Sequence, residues 1–263
     1  MGISMMTRME EEFARKWQTG AVRLNKYLSE AGVCSRREAD RMIEEGRILV
    51  DGMVAVPGMK VEDGQQVLVD GKPVEREKEM ILLAFYKPVG VVCTTDRRWG
   101  DTTVEEFLHF PKRVFSMGRL DKNSEGLLLM TNHGDIQNKI MKAGNYHEKE
   151  YEVTVHKPVT GDFLEKMAAG GIPIGEQVTR SCKVEQMDQK RFRIVLTQGL
   201  NRQIRRMCEY CGYQVERLIR VRIMNICLGE LKPGEYRRVS PQEQEILYEK
   251  IRDSKNEISY ERN

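Results

Sequence analysis

Ser116-Met-Gly-Arg-Leu-Asp-Lys-Asn-Ser-Glu-Gly-Leu-Leu-Leu-Met-Thr-Asn-His-Gly-Asp135 decides how this chain is read. Asp121 stands between Gly118-Arg-Leu120 and the apolar run Gly126-Leu-Leu-Leu-Met-Thr131. A short continuous apolar run closed by Asn and Gly fits a buried strand. Asp121 then lies in the loop that feeds the strand. A carboxylate there can face a cleft from a rigid support. The plainer reading is a turn aspartate that accepts backbone N–H bonds. Spacing alone leaves both open.

Downstream and upstream of this segment the chain alternates between strand and helix patterns. Strands are predicted over 81–86, 127–131, 150–156, 191–197 and 215–223. Helices are predicted over 103–109, 135–143, 160–169 and 201–211. The pattern implies an α+β domain over 81–242 with a central, largely antiparallel sheet whose cleft holds Asp121. Residues 243–263 read as a helical or frayed tail. Residues 1–20 read as a polar leader.

Between leader and domain lies a smaller unit, residues 21–70. Leu24, Tyr27 and Leu28 fall at helical spacing before Gly32. Ser35 suits an N-cap, with Glu38 at the capping-box position, and the second helix buries Ala39, Met42 and Ile43 before Gly46. Short β-like runs at 48–50, 54–56 and 67–69 follow, punctuated by Asp-Gly and Pro-Gly turns. The charged segment 71–80 reads as a linker.

Composition removes several classes of function. No apolar run approaches the ~20 residues that span a bilayer, and the acidic N-terminus lacks the apolar core of a secretory signal. Cys34, Cys93, Cys182, Cys208, Cys211 and Cys227 read as free thiols of a reducing, cytoplasmic setting. Cys208-x-x-Cys211 supplies half of a structural zinc site and reads more plainly as two small buried side chains. The histidines are scattered, and neither a Walker motif nor a strand-linked GxGxxG is present. The chain therefore predicts no metal and no cofactor.

The net charge of +3, from 43 basic and 40 acidic residues, announces no nucleic-acid binder. Its distribution does. Arg23, Lys26, Arg36, Arg37 and Arg41 gather around two helix starts, where a phosphate could sit. A solvated helix face would look the same. Residues 198–222 hold Arg202, Arg205, Arg206, Arg217, Arg220 and Arg222 and no lysine, which favours planar contacts to phosphate or carboxylate.

Residues 23–56, with R-L-x-K-Y-L and S-R-R-x-A-x-x-x-I-x-x-G, resemble the S4-like RNA-binding module of ribosomal proteins and RNA-modifying enzymes. The resemblance implies that Arg23, Lys26, Ser35, Arg36, Arg37 and Arg41 face RNA. G-R-L-D-x-x-S-E-G-L-L-L-x-T-N-x-G resembles the signature of RNA pseudouridine synthases of the RsuA/RluB/RluE/RluF family. Three segments agree in order: Tyr86-Lys-Pro-Val-Gly90, with Tyr where Asn is usual; Lys149-Glu-Tyr151; and Gly199-Leu-Asn-Arg-Gln-Ile-Arg-Arg-Met207. Within the family, 144–151 and 198–209 resemble the RluF branch, which acts on large-subunit ribosomal RNA.

The resemblance implies a reaction without redox chemistry. The glycosidic C–N bond breaks, the uracil turns, and a C–C bond forms. Asp121 would attack the sugar C1′ or first take a proton from C2′. It must be ionised, and Arg205 matches the arginine that would stand beside it. Tyr151 matches an active-site tyrosine that stacks on a flipped uracil, though a strand aromatic facing the core fits it too. Leu218 would close an apolar wall, or simply fill the core. Lys87, Arg119, Asn201, Arg202, Gln203 and Arg206 would hold RNA. Partners implied are large-subunit ribosomal RNA or its precursor particle, and transfer RNA, with a monomeric protein. The competing reading is a non-catalytic ribosomal-RNA-binding assembly factor.

Overall fold

The structure is a computed structural model that describes residues 20–76, 79–94, 100–252 and 254. The leader, Gly20 excepted, and the end of the tail lie outside the described residues. Two compact units emerge.

The small unit begins β1 (Val22–Arg23), α1 (Leu24–Glu30) and α2 (Arg36–Glu44). Strands β2 (Ile48–Val50), β3 (Met53–Val54), β4 (Lys60–Val61), β5 (Val67–Val69) and β6 (Lys72–Val74) follow. Antiparallel pairs give a sheet ordered β3-β2-β5-β6, and β1 pairs with β4. Leu24 and Leu28 of α1 bury against Ala39, Met42 and Ile43 of α2 and Ile48, Val50 and Val67 of the sheet. These are the apolar positions that helix and strand periodicity picks out. Ser35 caps α2 by accepting from the Glu38 N–H at 3.2 Å. The other half of the box is absent, because the Glu38 carboxylate turns to Arg41 at 2.5 and 2.6 Å. Lys72–Val74 corrects the linker reading. The segment has the polarity of an edge strand, and the Tyr27 hydroxyl fastens it by donating to the Val74 carbonyl at 3.0 Å.

The large unit contains β7 (Leu82–Lys87), α3 (Val104–Leu108), β8 (Phe115–Met117), β9 (Glu125–Thr131), α4 (Gly134–Met141) and β10 (Lys149–Val155). It continues with α5 (Gly161–Ala169), β11 (Pro173–Ile174), β12 (Gln177–Val178), β13 (Lys183–Gln186) and β14 (Arg191–Leu196). Then come α6 (Gln203–Tyr210), β15 (Val215–Ile223), β16 (Ile226–Cys227), β17 (Tyr236–Arg238) and α7 (Pro241–Ile251). The sheet runs β13-β14-β10-β15-β9-β7-β17, with β16 on β15 and β8 on β9. Its pairs are antiparallel at β13/β14, β14/β10, β10/β15, β15/β16 and β7/β17, and parallel at β15/β9. Every residue of β7 and β9 is buried, as expected of strands covered on both faces. A second core lies on β10, β14 and β15, where Val153, Phe192, Ile194 and Leu218 meet Phe163 and Met167 of α5 and Ile204 and Met207 of α6. Cys208 belongs to that core and Cys211 packs against it, the plain reading of the pair.

The boundary at 242 falls inside α7. Ser240 and Glu243 form a complete capping box, Pro241 opens the helix, and Leu247, Tyr248 and Ile251 are buried. Capping and apolar spacing make the start of the tail a packed element.

Candidate active site

Asp121 enters the large unit in the turn between β8 and β9, where Ser124 N–H donates to the Asp121 carbonyl at 3.0 Å. The turn is pinned on several sides. Leu120 N–H donates to Cys93 Sγ at 3.4 Å, and Gly90 N–H to the Lys122 carbonyl at 2.8 Å. The Lys87 ammonium, fully buried, donates to the carbonyls of Ser124 and Pro88 at 2.8 Å each. Burial holds that amine below its usual range. Lys87 therefore anchors the aspartate loop from within, which corrects its assignment to RNA.

A cavity of about 420 Å³ opens beside Asp121. Its lining includes Arg119, Lys149, Tyr151, Leu196, Leu218 and Arg220. Strand alternation explains the set. Lys149 and Tyr151 share one face of β10, and Leu218 and Arg220 share one face of β15. The opposite face carries the acids: Arg222 Nε meets Glu150 at 2.6 Å, and Arg193 meets Glu150 at 3.2 Å and Glu152 at 3.3 Å. A break in the β10/β15 register between Glu150 and Tyr151 aligns Tyr151 with Arg220 and Lys149 with Ile223.

The loop before α6 supplies the other wall. Arg202 stands at the N-cap position of α6 with φ +51°, a left-handed conformation unusual for a side-chain-bearing residue. Its Nη1 lies 3.7 Å from Asp121 Oδ2. Arg205, the partner expected from sequence, points its guanidinium at main chain instead. It donates to the Asn123 carbonyl at 2.7 Å and the Val215 carbonyl at 3.2 Å. Its position one turn into α6 reaches the back of the aspartate turn, while Arg202, at the mouth, takes the ion pair. Gln203 is also structural: its Oε1 accepts from Leu200 N–H at 3.0 Å and its Nε2 donates to Gln198 at 3.4 Å. Asn201 is exposed and accepts from Arg206 at 3.2 Å, so that pair stands on the surface of the loop. Arg119 is exposed at the cavity rim, and Leu218 is buried in its wall.

Two charged cavity residues, Arg220 and Lys149, were given no role in the site by the sequence. Arg220 is 1% exposed, donates to the Leu127 carbonyl at 2.7 Å, and keeps a buried Nη2 without a hydrogen bond. Lys149 is 6% exposed, and no hydrogen bond or ion pair reaches it from the described residues. Burial first, and Arg220 second, push its amine down to about 8. The signal was available in period two: if Tyr151 and Leu218 face the cavity, so do Lys149 and Arg220.

A family model described as RNA pseudouridylate synthase matches residues 81–210, and an S4 domain model matches residues 22–67. Over 240 residues the chain is 51% identical to the dual-specificity RNA pseudouridine synthase RluF of Escherichia coli (strain K12), covering 90% of this chain and 82% of that one. This chain belongs to the RNA pseudouridine synthase family. The synthase is also 36% identical over 223 residues to an uncharacterized RNA pseudouridine synthase of Rickettsia typhi, covering 83% of this chain and 91% of that one. A crystal structure of a pseudouridylate synthase matches it with a TM-score of 0.64 at 27% identity, covering 86% of this chain and 99% of that one.

The small unit of the synthase is thus an S4 domain. Arg23, Arg36 and Arg37 are exposed on it. Arg41 is exposed but committed to Glu38, and Lys26 lies 3.6 Å from Glu30. The Ser35 hydroxyl is engaged in capping α2, which explains the serine without RNA. Among the described residues, no helix is long and apolar enough to cross a membrane.

Proposed function

We propose that this synthase converts a uridine of large-subunit ribosomal RNA to pseudouridine, in the cytoplasm and as a monomer, with Asp121 as the nucleophile. The observation that supports this reading is a carboxylate on a pinned turn, the one acid among the described lining of a cavity that also holds Arg119, Lys149, Arg202, Arg220 and Tyr151. The target nucleotide must leave its stack, at a cost of a few kcal/mol. Arg119 and Arg202, both exposed at the rim, offset this by meeting backbone phosphates. Arg36 and Arg37, exposed on the S4 domain, also meet backbone phosphates.

Once flipped, the uracil lies against Tyr151 and Leu218. Asp121 acts on the ribose, at C1′ as nucleophile or at C2′ as base, and the N1–C1′ bond breaks. The ring turns and C5 bonds to C1′ as the Asp121–C1′ bond breaks or, on the other route, as C2′ takes its proton back; the C5 proton leaves and N1 gains one, so the net change is isomerisation. Arg202, 3.7 Å from the carboxylate, offers it a counter-charge at the mouth of the cavity. Arg205 and Lys87 hold its loop. A ring that departs and rebonds needs a site that excludes water, and the buried floor provides one.

The test is carbodiimide mapping of pseudouridine on large-subunit ribosomal RNA and transfer RNA transcripts treated with the protein. A new stop in ribosomal RNA supports the reading. A stop confined to transfer RNA replaces the substrate. Tight binding with no stop on either RNA favours the assembly-factor reading.

A further inference from the structure

Lys149 is a costly residue to keep. An ammonium buried without a counter-charge is disfavoured, and cores usually remove it or pair it. Here it lines the cavity with no bond from the described residues, beside a second buried cation, Arg220. The other groups around it are Asp121, Arg119, Arg202 and Tyr151 across the cavity and His147 two residues before it. β14 and β15 flank it with Leu196 and Ile223, both apolar. The one acid in that lining, Asp121, faces Arg202 at 3.7 Å, and no ion pair joins it to Lys149 among the described residues.

The floor position separates Lys149 from the phosphate-facing arginines. Arg119 and Arg202 are exposed, whereas Lys149 shares its strand face with Tyr151 and its surroundings with Leu196 and Leu218. The flat, partly apolar end of a nucleotide belongs there, with its sugar towards Asp121. During the reaction that end becomes anionic. When N1–C1′ breaks, the electron pair leaves with N1 and spreads over the ring carbonyl oxygens.

We propose that Lys149 is a catalytic residue whose ammonium holds the detached uracil anion, donating to a ring carbonyl oxygen while the ring turns. The inference rests on the reading of Asp121 and its cavity as the active site. Lys149 remains protonated throughout. When C5 bonds to C1′ the pair returns to carbon, the C5 proton departs, N1 is protonated, and the ammonium again faces a neutral ring. A cation fixed where charge develops is electrostatic preorganisation in a water-poor site. The lowered affinity of this amine for its proton makes the charge available below about pH 8 and lost above it.

The experiment is single-turnover kinetics on the mapped RNA, with uridine or 5-fluorouridine at the target, for wild type, Lys149→Met, Lys149→Arg and Asp121→Asn. Fluorine stabilises the departing anion, so that substrate depends less on the ammonium. Lys149→Met is expected to slow the uridine reaction by roughly 10²–10³-fold and to slow 5-fluorouridine consumption roughly tenfold less. Wild type is expected to lose rate above about pH 8, and Lys149→Arg, which stays charged, to lose that alkaline limb. The uracil's own ionisation is common to both proteins and cancels in the comparison. Rates for Lys149→Met within about threefold of wild type, or equal slowing on both substrates, overturn the proposal. If the methionine variant does not fold, the pH profile of Lys149→Arg decides, and an unchanged alkaline limb overturns it. Full activity of Asp121→Asn instead overturns the active-site reading on which the proposal rests.

Discussion

Gly126 is where the aspartate turn becomes strand β9, and its lack of a side chain is a structural requirement. Its φ is +106°, and β9 meets β15 in parallel register there, with Gly126 opposite Arg220. A Cβ at this position would lie 2.7 Å from Arg220 N and 2.9 Å from Ile219 Cγ2, and closer still to the Arg220 carbonyl oxygen. Two costs add in Gly126→Ala. Holding a side-chain-bearing residue at that φ costs about 1–3 kcal/mol. Forcing a methyl against backbone that has to move costs about 1–3 kcal/mol more. The sum centres near 4 kcal/mol, and at about 2–4 °C per kcal/mol for a domain of this size the melting temperature falls by about 10 °C. Gly118→Ala is the internal comparison. Its φ is +74°, but the obstructing atoms belong to the flexible end of Met141, so the φ cost remains, the clash is largely relieved, and its fall is expected to be about half as large. Gly161→Ala, with no atom within 4 Å and a helical position, is expected to be neutral or slightly stabilising. Differential scanning calorimetry on the three variants reads all of this. A fall for Gly126→Ala below about 3 °C, or one matching Gly118→Ala, would refute the close-approach argument.

Glu125 is buried, which pushes its carboxyl up, but Arg217 at 2.7 Å and the Tyr86 hydroxyl at 2.9 Å outweigh this and hold it below the usual value. Arg217→Met is therefore expected to cost about 1.5–3 kcal/mol in urea at pH 7. A lowered carboxyl stabilises above its unfolded value near 4.3 and stops doing so as pH falls through its folded value. The gap between the two proteins should close below about pH 4, and a gap constant down to pH 3 contradicts the pairing. Ser35→Ala should destabilise the S4 domain by about 1 kcal/mol through loss of the α2 cap. Arg36→Ala and Arg37→Ala should leave the urea midpoint unchanged and each lower the salt dependence of RNA binding by about one counterion, measured by filter binding across a salt series. Lys87→Met should lower kcat while leaving RNA affinity intact, since the ammonium touches the Ser124 and Pro88 carbonyls; loss of affinity without loss of kcat would restore Lys87 to the RNA surface.

Much of this architecture was legible because local chemistry and tertiary packing agree. Leu127–Met130 is apolar enough to be a strand on any reading, and Ser35 announces the helix that it caps. The elements missed are two- or three-residue strands such as Phe115–Met117 and Ile226–Cys227, too short to show a period, and strands whose sequence is polar. Lys72–Val74 and Lys183–Gln186 form ladders at sheet edges, where one neighbour suffices and side chains stay in water. Charge partners were harder to read than positions. Motif spacing brings Arg205 near Asp121, but a single helical turn separates a guanidinium on the carboxylate from one on the carbonyl behind it. Which of Arg202 and Arg205 takes each place depends on the left-handed backbone at Arg202, which sequence does not announce. Lys87 misled for the same reason, since a lysine beside a proline looks exposed until a buried carbonyl cage accounts for it.

The central claim is that the Asp121 carboxylate, and no other acid of the chain, carries out the isomerisation. Asp121→Asn keeps the side chain's shape and removes its charge. The direct measurement is single-turnover pseudouridine formation by this variant and wild type on the same ribosomal RNA transcript, with RNA affinity recorded in parallel. The account predicts no product from the variant over many wild-type half-lives, with binding retained within a few-fold. Product formed by the variant at more than about a tenth of the wild-type rate would contradict it.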